Sequence, residues 1–70
     1  MTTREAVLAW AARMASADQI DPDDVDLVIQ SDGFVYALPK GGHDRDALGW
    51  WPLPYLGPDG EAAFARGDLV

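Results

Sequence analysis

The stretch VDLVIQSDGFVYAL, residues 25–38, decides the fold. Two runs rich in β-branched and aromatic residues flank Ser31-Asp32-Gly33, the pattern of a β-hairpin. Two registers fit it. If Asp32-Gly33 is a two-residue type I′ turn, Leu27, Ile29, Phe34, Tyr36 and Leu38 share one strongly apolar face. If Ser31-Asp32-Gly33 is a three-residue loop with Gly33 left-handed, Gln30 pairs with Phe34 instead. The first register separates apolar from polar positions better between Leu27 and Leu38, and is the expected one. Either way, two strands alone are marginal in water, so the hairpin needs a cover.

The cover lies upstream. Thr2 and Glu5 have the spacing of a capping box, which starts a helix near Thr3. On a helical wheel Val7, Leu8, Trp10, Ala11, Met14 and Ala15 fall on one side, and Glu5, Arg13 and Ser16 on the other. The alanines favour helix, the pattern fails by Asp18, and Pro22 makes the connection to the hairpin extended or turned.

Downstream, PKGGHDRDALG at 39–49 is turn-rich and reads as a surface loop. In WWPLPYLGP, Pro52 and Pro54 prevent helix and confine any strand to an edge, so Trp50 or Trp51 marks a short third strand. Pro58, Asp59 and Glu61 open a short last helix that Gly67 stops, with Ala62, Ala63 and Phe64 expected to dock on the core. The expected fold is α+β: an N-terminal amphipathic helix packed on a small antiparallel sheet, then a short C-terminal helix. Seventy residues make one domain, 1–70, close to the lower limit for a single core.

With no cysteine, disulfide staples, thiolate metal sites and a cysteine nucleophile are excluded. No apolar run reaches the roughly 18 residues of a membrane span, and the first residues lack a signal-peptide pattern, so a cytoplasmic protein is expected.

Charge is the most unusual property. Twelve acids face five bases, for a net charge of −7. DQIDPDDVD at 18–26 holds five aspartates in nine positions, and between Arg13 and Lys40 six acids meet no base: Asp18, Asp21, Asp23, Asp24, Asp26 and Asp32. Such a field repels nucleic acid and attracts basic surfaces. An EF-hand reading started at Asp21 fails, with Asp26 at the position of the required glycine and Asp32 at that of the glutamate. The single histidine, His43, stands beside Asp44 and Asp46 with no nucleophile tied to it, and neither an enzyme nor a cofactor is expected. The aspartates themselves are then the candidate partner-binding residues. Short carboxylate stems spaced i, i+2 on an extended chain stand about 6.6 Å apart, a spacing suited to arginines that otherwise hold phosphates.

In size, net charge, lack of cysteine and the Asp18–Asp26 run with Asp32 nearby, the chain resembles the small acidic phage anti-CRISPR proteins that imitate DNA. That resemblance implies a phage or mobile-element protein acting in a bacterial host cytoplasm, and a monomer is expected. It would bind a basic DNA-binding protein, such as a CRISPR surveillance complex subunit, and block target DNA without binding nucleic acid itself. The alternative is a small adaptor or antitoxin-like module that binds through Trp50, Trp51 and Tyr55.

Overall fold

Thr2 caps the first helix. Its hydroxyl accepts from the Glu5 backbone N–H at 3.2 Å, and the Glu5 carboxylate accepts from the Thr2 N–H at 3.2 Å. This reciprocal pair satisfies two of the amide donors that a helix start leaves open. The computed structural model describes residues 2–70, the Asp44 side chain excepted, and places α1 at Thr3–Ala17. Val7, Ala11 and Ala15 are buried along it, while Arg13 and Ser16 face solvent.

The helix ends in a Schellman motif. Ile20 N–H donates to Ala15 C=O at 2.8 Å and Gln19 N–H to Ser16 C=O at 3.1 Å, with Gln19 left-handed at φ 67°. Ile20 then packs against the buried cluster that contains Ala15, in keeping with the apolar contact that usually accompanies this motif.

The sheet has three antiparallel strands: β1 Val25–Ile29, β2 Phe34–Pro39 and β3 Gly49–Pro52, in the order β1-β2-β3. The third strand confirms the WWP expectation, with proline on an edge where its missing N–H costs no ladder bond.

The hairpin takes the other of the two registers. Val25 pairs with Pro39, Leu27 with Ala37 and Ile29 with Val35, and Gln30 N–H donates to Phe34 C=O at 2.9 Å. The loop is Ser31-Asp32-Gly33, closed by Gly33 N–H on Gln30 C=O at 3.1 Å, with Gly33 at φ 89°. Relative to the expected pairing this is a one-residue slip, and a slip of one turns every β2 side chain over. Val35 and Ala37, both buried, face the helices; Phe34, Tyr36 and Leu38 lie on the opposite face.

After β3 the chain enters α2, Gly57–Ala65, with Pro58 in its first turn. Its end is a second Schellman motif, Asp68 N–H on Ala63 C=O at 2.9 Å and Gly67 N–H on Phe64 C=O at 3.0 Å, here with glycine left-handed. Ala63 is buried and Phe64 half-buried, but Ala62 is exposed, so only two of the three expected docking residues dock.

Both helices lie on one face of the sheet. One cluster joins Val7, Ala11, Ile29, Val35, Ala63 and Leu69, and a second joins Ala15, Val25, Ala37 and Trp51. Trp10 and Leu27 touch both. Leu69, beyond the last helix, is 1% exposed, and the Arg4 guanidinium donates to its carbonyl at 3.2 Å. The layout is a two-layer α+β fold with both α-helices on one sheet face, and on the other face Leu38 is also buried, at 7% exposure.

Candidate functional site

The acidic run crosses one end of the sheet, from β3 to β1. At the β3 side the Asp18 carboxylate accepts the Trp51 indole N–H at 2.8 Å, and Ile20 lies over Gly49, where an added Cβ would meet its Cδ1 at 3.0 Å. Asp18 therefore holds the core tryptophan, whatever else it meets.

Pro22–Asp24 then form a 3-10 turn. Asp21 caps that turn, its carboxylate accepting the Asp23 N–H at 2.9 Å, while Pro22 presets the backbone of the first turn position. Asp21, Asp23 and Asp24 are all exposed. Ion pairs among the described residues are Lys40–Asp26 at 3.4 Å and Arg66–Asp68 at 2.9 Å, so these three carboxylates meet no cation. The run is a curled turn rather than an extended ladder, and only Asp26 sits in a strand.

Asp32 is set apart from the others. It lies in the hairpin loop, at the far end of β1 from Asp24, about 20 Å away by the rise of the strand. One of its carboxylate oxygens accepts the Phe34 N–H at 3.0 Å and the other the Tyr36 hydroxyl. The six acids therefore form two groups, Asp18 to Asp26 at one end of the sheet and Asp32 at the other. The spacing of the aspartates along the sequence left open whether they form one patch; β1, lying between Asp24 and Asp32, separates them.

Of the three aromatics named for an adaptor, Trp51 is withdrawn: it is 7% exposed and packs against Ala15, Val25 and Ala37. Trp50 and Tyr55 are exposed by 59% and 78%. Alternation along β3 explains the difference, since neighbouring strand residues point to opposite faces.

Two apolar features were missed by reading the sequence. Val28, Tyr36 and Trp50 form one cross-strand row on the sheet face opposite the helices, with Phe34 and Pro52 in the next. The signal was present in the alternative register. The second is an open groove of about 380 Å³ between the β3–α2 connection and α2, lined by Leu53, Pro54, Tyr55, Leu56 and Phe64. With Gly33 and Leu69 also in its wall, it is assembled from four segments and has no local signature.

His43 is exposed, and its backbone N–H, rather than its ring, meets the Asp46 carboxylate at 3.3 Å. The Asp44 side chain, the other carboxylate weighed beside it, lies outside the described residues. Among the described residues no three acids or histidines are grouped to hold a metal ion, and no helix is long and apolar enough to cross a membrane. No family model, no curated protein and no solved structure matches the chain.

Proposed function

We propose that this is a non-catalytic binding protein whose acidic loop docks on the positively charged DNA-recognition surface of a nucleic-acid-binding partner and keeps DNA off it. One observation carries the reading: Asp21, Asp23 and Asp24 stand exposed on a proline-fixed turn, without a cation among the described residues. Unpaired carboxylates held on a short rigid turn lose little freedom when they meet arginine, and their field steers a basic partner toward them. A CRISPR surveillance complex subunit in a bacterial host, met by a monomer of this chain, is the first partner to test, as the anti-CRISPR resemblance implies.

The test is competition. Purified surveillance complex is mixed with duplex target DNA and increasing amounts of the protein, and DNA release is followed. Replacing Asp23, Asp24 and Asp26 together by lysine is expected to weaken the competition by about tenfold or more, while lysine at Asp59 and Glu61 leaves it within about twofold. Equal losses from the two sets would show that net charge alone matters and would end the local-site reading.

The second reading, an adaptor module, now depends on Trp50 and Tyr55, the two exposed aromatics. Salt separates the readings, because an electrostatic interface weakens steeply with ionic strength and an aromatic one much less.

A further inference from the structure

The sheet face opposite α1 and α2 presents an aromatic layer in which Trp50 is exposed and Phe34 and Tyr36 are half-buried, while Leu38, at the other end of that face, is buried. Tyr36 stands between Val28 and Trp50 in one cross-strand row, and the Phe34 and Tyr36 rings are 6.4 Å apart. Trp50 is 59% exposed although tryptophan is a costly residue to leave in water. Asp32 stands at the hairpin end of this face and Asp26 at the other, the latter paired with Lys40.

Exposed rings on an open sheet stack flat π-systems, and two flat groups are common in proteins and their partners: nucleobases and guanidinium groups. Charge decides between them. A base arrives with its phosphates, which a chain of net charge −7 repels; a guanidinium arrives with the opposite charge.

Asp32 adds geometry to that choice. Each of its carboxylate oxygens already accepts one hydrogen bond, from Phe34 N–H and from the Tyr36 hydroxyl, so the group is held in place. Each oxygen keeps a second lone pair, and a carboxylate so fixed matches the planar fork of arginine better than the compact ammonium of lysine.

We infer that this sheet face is a docking site for an arginine-bearing segment of a basic partner protein, with a guanidinium stacked on Trp50 and Tyr36 and paired with Asp32. The inference rests on the reading above that the partner is basic, and it places a contact outside the acidic loop. It also gives Asp32, beyond anchoring the hairpin loop, a partner contact that its distance from the acidic loop otherwise denies it.

The experiment titrates the full chain, at physiological salt, with hexa-arginine, hexa-lysine and a single-stranded oligonucleotide, following backbone and indole NMR signals. Hexa-arginine is expected to bind about fivefold to tenfold more tightly than hexa-lysine and to shift Phe34, Tyr36 and Trp50. Trp50→Ala, at an exposed position, is expected to remove that preference, and Asp32→Asn to reduce it while keeping an acceptor for Phe34 N–H.

Equal affinity for the two peptides, with shifts confined to residues 18–26, overturns the inference and leaves the acidic-loop reading standing. Oligonucleotide binding on the Trp50 face overturns the choice of guanidinium. If neither peptide binds, both readings fall.

Discussion

Gln19 holds φ at 67°, a left-handed conformation that a residue with a Cβ adopts at a cost of about 1–2 kcal/mol. The same position in the second helix is Gly67, at φ 82° and with the same pair of capping bonds. Glycine returns the steric cost but adds freedom to the unfolded chain, worth about 0.5–1 kcal/mol. Gln19→Gly is therefore expected to stabilise the protein by about 0.5–1 kcal/mol, read as a higher urea midpoint with an unchanged slope. A lower midpoint would mean that the Gln19 side chain contributes more than its backbone strain removes. One residue earlier, Asp18→Ala leaves the indole N–H of Trp51 without its acceptor, and the expected loss is about 1–3 kcal/mol. Asp18→Asn keeps an oxygen in place and should lose less than half of that. Equal losses would point to the negative charge, rather than the bond, as what the site requires. The two partners are 33 residues apart, so the charge run made Asp18 visible while its tie to the core stayed hidden.

At the scale of elements, each strand and helix was legible from local chemistry: the capping box, the β-branched runs, the prolines of WWPLP and the closing Gly67. The hairpin register was not, and the reason is physical. Reading it by apolar alternation assumed that the more hydrophobic face is the buried one. The molecule instead buries the smaller Val35 and Ala37 beneath the helices and leaves Phe34 and Tyr36 half-buried on the opposite face, where Leu38 alone of the β2 residues is buried. A three-residue loop with left-handed glycine sets that pairing, and Asp32 anchors it through the Phe34 N–H. Close approach of a helix explains the choice, because Ala11 and Ala15 are fully buried against the sheet and leave room only for modest side chains. Leu69 was also hidden, since a residue beyond a stop signal carries no periodicity. A paired substitution checks the register. Val35→Ala is expected to cost about 2 kcal/mol, close to the burial of the whole side chain, while Phe34→Thr should cost under about 1 kcal/mol. The opposite ranking would restore the two-residue turn.

The whole molecule carries its charge unevenly, and that has two consequences of opposite sign. Two exposed carboxylates about 7 Å apart repel by about 0.6 kcal/mol in water, whatever backbone carries them, and screening at physiological ionic strength removes roughly half of that. With net charge −7 and two ion pairs among the described residues, both exposed, repulsion outweighs attraction on the folded surface. Raising NaCl from about 20 mM to about 500 mM should therefore raise the urea midpoint, because the compact state gains more from screening than the expanded chain. The same change should weaken capture of a basic partner, because screening removes the attraction that draws the acidic loop to it. Lysine at Asp23 and Asp24 should imitate salt on both counts, giving a more stable protein that binds less well. This coupling separates a functional charge from a merely solubilising one: a loop kept acidic only for solubility would show the gain in stability with no loss of binding. A fall in the midpoint with salt would assign the balance to Lys40–Asp26 and Arg66–Asp68 instead, and the exposed aspartates would then carry no stored repulsion for a partner to relieve.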